Sequence, residues 1–263
     1  MASLSETVRS AQLQWHAVWQ PAFLALAPMI VTAAVWLPAI FSVFGLPPVA
    51  VLIAGLIFLL GRMAEERAPD IQMEAPKTAA ERYTAILLRH RDETLDAQTK
   101  ARFHAVLTAR GFRLPSPQVE AAGTVQADRA YQEAAEWLMR RTRSLSEFPD
   151  LAARRSDYLQ RLNLLALKPI GIIMAVAGVA INGWLVHRYF LFEGVEFWIA
   201  LALAFVSFGA LAIWKNAITG PMVEDASRAY AADLLGTCDT IAGGGSSRPS
   251  SMRYEWVAGV ADH

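Results

Sequence analysis

Residues 167–214 read LKPIGIIMAVAGVAINGWLVHRYFLFEGVEFWIALALAFVSFGALAIW. Two apolar runs, 169–186 and 197–214, flank a short connector, and the only charges past Lys168 are Arg188, Glu193 and Glu196. A soluble core has no use for two such runs back to back. At ~1.5 Å of rise per residue, about 20 apolar residues cross a hydrocarbon core of roughly 30 Å. The stretch predicts a transmembrane helical hairpin.

A second uncharged stretch lies near the N-terminus. From Ala17 to Gly61 there is no charged residue, which is too long for one crossing. Gly45-Leu46-Pro47-Pro48 supplies the break, because proline ends helices and glycine permits the turn. The expected spans are 22–41 and 48–62. Pro28 and Pro38 fall inside the first of these, as kinks that neighbouring helices satisfy or as a gating hinge. Residues 1–16 are mixed enough for a short surface helix, and Trp15, His16 and Trp19 suit the headgroup level. The apolar segment that follows is too long for a signal peptide.

Between the hairpins the composition changes. Residues 62–168 hold 18 of the 24 Lys and Arg and 15 of the 24 Asp and Glu. Thr78 and Glu81 have capping-box spacing and begin a helix that ends near Arg91. A second helix, 95–110, shows Phe103, Val106, Leu107 and Arg110 at helical spacing and stops at Gly111. After a loop with Pro115 and Pro117, a third spans 127–144, with Tyr131, Ala134, Ala135, Leu138 and Met139 on one stripe. Phe148-Pro149 breaks it, and a fourth, 150–167, meets the third crossing at a seam marked by Lys168-Pro169. No alternating strand pattern occurs. Beyond Gly220-Pro221, residues 222–241 read as an amphipathic helix with Val223, Ala226, Tyr230, Leu234 and Cys238 inward, followed by a Gly/Ser linker.

The fold class is therefore all-α: an integral membrane protein with four transmembrane helices in two hairpins and a helical cytoplasmic domain inserted between helices two and three. The expected segments are an interfacial 1–20, a hairpin over 21–62, the insertion 63–166, the second hairpin 167–215 and a helical tail 216–263. The formal net charge is zero, but its distribution is not even. With four crossings, all Lys and Arg but Arg188 lie on one side. The positive-inside rule then puts both termini and the insertion in the cytoplasm.

Chemistry-bearing motifs are scarce. The single cysteine, Cys238, forms no intrachain disulfide and no Cys-rich metal site. Phosphate-loop, zinc-protease and nucleophile-elbow patterns are absent, so the chain reads as a non-enzyme without metal or cofactor. Arg89-His90-Arg91-Asp92 resembles a catalytic string only superficially, and His90 and His104 read as ordinary helix residues. Asn182 is a polar amide inside a span, which either locks helices together or lines a pore. Gly171, Ala175 and Gly178 precede it at steps that allow close helix approach, and Gly55 offers a smaller notch on the second span. Glu193 and Glu196 would form acidic rings at the outer mouth of a symmetric oligomer, and Arg62 the matching inner ring. Arg140, Arg141, Arg143, Arg154, Arg155 and Arg161 form two basic clusters, suited to anionic lipid or to the phosphates of a nucleotide. Tyr131, Trp137 and Tyr158 would then stack on bases.

The layout, with LNLLALKPIG at 162–171 and EDASRAYAADLLGTCD at 224–239, resembles the small four-helix membrane effectors of bacterial anti-phage systems, most closely the channel effectors of Hailong-type systems. The resemblance implies a tetrameric ion channel controlled by DNA oligomers from a partner nucleotidyltransferase. It assigns no functional residue. The residues alone leave two readings: a ligand-gated homo-oligomeric pore, or a non-conducting membrane anchor that docks a cytoplasmic partner.

Overall fold

The computed structural model describes residues 4–38, 45–71, 79–123, 125–191 and 194–243, and every regular element among them is helical. In chain order these are α1 (Leu4–Gln14), a π-helical turn (Trp15–Trp19), α2 (Gln20–Trp36), α3 (Leu46–Ile71), α4 (Ala79–Leu88), α5 (Ala97–Ala109), α6 (Pro117–Ala121), α7 (Val125–Arg141), α8 (Pro149–Tyr189), α9 (Val195–Asn216) and α10 (Gly220–Ala242). Four stretches, Glu6–Trp36, Leu46–Ala68, Pro149–Tyr189 and Val195–Asn216, are long and apolar enough to cross a membrane.

The chain divides into two compact units, residues 1–80 with 143–230 and residues 81–142 with 231–263. These boundaries cut across the expected insertion. Residues 149–166 join the apolar hairpins because they belong to α8, which runs unbroken for 41 residues, and residues 143–148 lead into it. Pro169 sits inside that helix. It removes one backbone hydrogen bond without ending the helix, so the expected seam at Lys168-Pro169 is a point inside one element. Lys168 instead turns outward to α9. Its Nζ donates to the carbonyls of Lys215 (3.1 Å), in the last turn, and of Ile218 (2.7 Å), just beyond it, placing a cation at the C-terminal end of that helix.

Other boundaries moved as well. The first span ends at Trp36, and Pro38 lies beyond the C-cap residue Leu37 rather than inside the helix. The residue before a proline is driven out of the helical region, which explains the stop. Residues 39–41 of the expected span lie outside the described residues, as does Thr78 of the expected capping box. α1 is not a separate surface helix; it continues through the π turn into α2. α3 runs nine residues past the expected end at Arg62. Ser116 caps a short α6, accepting from the Val119 amide at 3.4 Å, where the sequence predicts only loop.

In the first unit α8 is the central post, packed on α9 and α2. Its residues Gly171, Ala175, Gly178 and Asn182 are all buried. A Cβ at Gly171 would lie 2.3 Å from the Trp214 ring, and one at Gly178 would lie 2.7 Å from Ser207 Oγ. The small residues thus serve contact within the chain, where α8 and α9 approach too closely for side chains. Ala22, Ala25, Ala64, Ala166, Leu167, Trp214 and Ile218 form the adjoining core. α3 is covered far less. Val51, Leu52, Leu56, Phe58 and Leu59 are all exposed, and Gly55 faces open space. Its contact at the other end is tight, with Trp19 stacked on Phe58 and a Cβ at Gly61 meeting the Trp19 ring at 2.7 Å.

The second unit encloses Leu88, Phe103, Leu107, Tyr131, Leu138, Leu234, Leu235 and Cys238, all fully buried. Of the stripes expected in this unit, Phe103, Leu107, Tyr131, Ala134, Ala135, Leu138, Leu234 and Cys238 are buried, whereas Val106 and Met139 are half-buried and Arg110 is exposed. Arg102 reaches Asp239 at 3.8 Å and Arg110 donates to the Ile241 carbonyl at 3.2 Å, which ties the end of α10 to α5. Burial, with the Asp239 charge beside it, pushes the Cys238 thiol up to about 12. Thiolate is the reactive species. In the folded protein Cys238 is therefore expected to resist a water-soluble maleimide at neutral pH, and to label fully in denaturant, as read by the mass of the intact chain.

Candidate functional site

The first unit has a polar seam where α8 leaves its apolar half. Ser156, Asp157, Gln160 and Asn163 fall on one face by helical spacing, and all four meet the π turn and its flanks. The turn is marked by the Gln20 amide, which donates to the Trp15 carbonyl five residues back. That register leaves nearby carbonyls open to other donors. Ser156 Oγ donates to the Leu13 carbonyl (2.9 Å), and Asn163 Nδ2 donates to the Ala17 carbonyl (2.8 Å). His16 lies between them, with Nε2 3.0 Å from Asp157 Oδ1 and Nδ1 2.8 Å from Gln20 Oε1. Gln160 Nε2 donates to the same Gln20 oxygen at 3.2 Å. The sequence shows the spacing of these residues, but not that their partners lie some 140 positions away.

A second polar node lies inside the span region. Asn182 is completely buried. Its Nδ2 donates to Thr32 Oγ1 (2.9 Å) and to the Gly178 carbonyl (2.8 Å), and its Oδ1 accepts from Trp36 Nε1 (3.1 Å). Thr32 in turn donates to the carbonyl of Pro28 at 2.8 Å. Trp36 stacks on Tyr189 with centroids 5.8 Å apart. Every polar atom of the Asn182 amide is thus engaged between α2 and α8, facing the interior of a single chain.

The remaining sequence candidates scatter. Arg62 is exposed and pairs with Glu65 at 3.0 Å, three residues along its own helix. Glu196 is exposed in the first turn of α9, where a carboxylate also suits the helix dipole. Glu193 lies outside the described residues. Arg140 and Arg141 end α7 in the second unit, whereas Arg143, Arg154, Arg155 and Arg161 belong to the first. Arg140 approaches Glu136 at 4.0 Å, and Arg161 donates to the Met222 carbonyl at 3.3 Å.

Two of the three expected stacking aromatics are ruled out by burial. Tyr131 is fully covered and donates its hydroxyl to Glu120 at 2.7 Å. Tyr158 is buried and lies parallel to Tyr230 at 6.1 Å. A base needs an open ring face, and neither offers one. Trp137 is half-buried against Phe112. Burial raises the Tyr230 hydroxyl above its ordinary range, although Arg155 and Arg143 pull it the other way.

His90 and His104 sit edge to face at 4.8 Å, with Nε2 of each turned to a backbone carbonyl, Pro115 at 3.1 Å and Leu88 at 2.7 Å. Burial depresses the His104 imidazole below its usual value. Both rings serve the packing of their own unit.

Comparison with known proteins finds no matching family model, no matching curated protein and no matching solved structure.

Proposed function

We propose that the chain is one subunit of an oligomeric, ligand-controlled ion channel or pore in the bacterial inner membrane, with both termini and the region between the hairpins in the cytoplasm. The observation that carries this reading is α8. Its 41 residues extend roughly 60 Å at ~1.5 Å per residue, about twice a hydrocarbon core. One rigid element therefore joins the polar seam at 156–163 to the apolar half that ends at Tyr189. A displacement at the seam is delivered to the span through the helix itself.

Four helices in one subunit are too few to enclose a wide hydrated path, so the conduit would lie between copies. The uncovered apolar flank of α3 suits either lipid or a neighbouring copy. The charge asymmetry supports the orientation. The resemblance to anti-phage membrane effectors supplies the setting, with a nucleotide or DNA oligomer from a partner synthase as the signal.

A specific observation also favours the second reading, a non-conducting anchor. Thr32, Asn182 and Ser207, three of the few polar residues of the spans, are all buried within the chain. They leave little polar surface for water. Reconstitution separates the two. A channel gives ion flux from liposomes carrying a closed homo-oligomer, whereas an anchor gives none at any stoichiometry.

A further inference from the structure

The turn that joins α4 to α5 in the second unit is held by charge from both sides. Lys100, nearly fully buried on α5, places its Nζ on the Arg89 carbonyl (2.6 Å) and on the Asp92 carbonyl. Glu120, from α6, accepts from the amides of His90 (2.8 Å) and Arg91 (3.2 Å), and from the Tyr131 hydroxyl (2.7 Å). A buried lysine is costly unless its hydrogen bonds are made. Here its donors are spent on shaping four residues of backbone.

The shaped turn sets Arg89 and Arg91 on the wall of a cleft of about 540 Å³. Arg82 joins them from α4, two helical turns before Arg89 on the same face. Ala85 and Ile86 give the cleft an apolar floor, and Gln132 of α7 adds an amide. Among the described residues lining the cleft, the one carboxylate is Asp92. Arg89 Nη2 is fixed by Asp128 at 2.7 Å, and its buried Nε has no hydrogen-bond partner among the described residues. With Arg89 paired to Asp128, the three guanidinium groups stand against two carboxylates, Asp92 and Asp128, and the wall keeps one net positive charge. Guanidinium forks match the oxygens of a phosphate better than any other side chain does. The volume lies within the range of small-ligand clefts.

We infer that this cleft binds a small phosphate monoester. The phosphoryl group lies on Arg82, Arg89 and Arg91, and the organic body lies on Ala85 and Ile86. The inference deepens the ligand-controlled reading and rests on it for the site's purpose, while its test reads binding rather than flux. It also moves the ligand site away from the basic clusters at 140–161.

The test is isothermal titration of the full chain in detergent with phenyl phosphate, and with inorganic phosphate alongside. Wild type is expected to bind phenyl phosphate saturably and more tightly than inorganic phosphate. Arg82→Gln and Arg91→Gln are each expected to weaken it about tenfold, the loss of one charge-assisted contact. Arg140→Gln with Arg154→Gln is expected to leave it unchanged. Arg82 and Arg91 are exposed, so their substitutions keep the fold, and an unchanged melting curve verifies this. Absence of saturable binding, or equal binding by the Arg82→Gln/Arg91→Gln double variant, overturns the site. Binding intact in a protein that passes no ions overturns the channel reading and leaves the site standing.

Discussion

Gly171→Leu is expected to separate α8 from α9 and to cost the first unit about 3 kcal/mol, the upper end of overpacking in a tight core. The reason is geometric. A Cβ at this position already meets Trp214 ring atoms at 2.3 Å, closer than any side-chain rotation relieves. Trp214 has little room to retreat, because it is buried in the cluster with Ala22, Ala25, Ala166, Leu167 and Ile218. Gly183→Ala and Gly209→Ala are the controls. Neither glycine has an atom within 4 Å of an added Cβ, and alanine stiffens a helix by about 0.5–1 kcal/mol relative to glycine. Thermal unfolding in detergent is expected to show a large fall in Tm for Gly171→Leu and no fall for the controls.

The second large effect is expected from Asn182→Leu. Leucine has similar bulk and is at home in a span, so a purely apolar account makes the change harmless or favourable. The hydrogen-bond account makes it destabilising. Buried Thr32 Oγ1 and half-buried Trp36 Nε1 each lose a partner, and the amide's bond to the Gly178 carbonyl disappears. Interhelical hydrogen bonds of this kind contribute about 1 kcal/mol each inside a bilayer, so a loss of about 2 kcal/mol is expected for the node. The lost partner also frees Trp36 from its stack on Tyr189. The melting temperature and a change in tryptophan fluorescence together check the assignment. An Asn182→Leu protein as stable as wild type contradicts the lock.

Much of the span architecture was legible because hydrocarbon imposes a blunt requirement. A run such as 169–186 without charge has few other uses, and the small-residue steps at Gly171, Ala175 and Gly178 announced close helix contact. The continuity of α8 was not legible. Lys168-Pro169 looks like a stop, and whether a proline ends a helix or is carried inside it depends on the packing around it. The π turn was equally hidden, since hydrophobic periodicity carries no signal for a five-residue hydrogen-bond register. Ser156, Asp157, Gln160 and Asn163 share a face by spacing alone, yet the seam depends on carbonyls and side chains of the first twenty residues. The stacking roles expected for Tyr131 and Tyr158 failed for a related reason: a tyrosine on an inward stripe reads the same as one on a surface until its neighbours are placed. Arg89 and Arg91 stand out in sequence only as a charged string, because the turn that aims them is shaped by Lys100 and Glu120 from elsewhere in the chain.

The central claim is conduction, and the direct measurement is current across a planar bilayer containing the purified full-length protein, with insertion verified by recovering the protein from the membrane. The account predicts discrete current steps. A bilayer that holds the inserted oligomer and stays silent, with and without phenyl phosphate, contradicts the channel and leaves the chain as a membrane anchor.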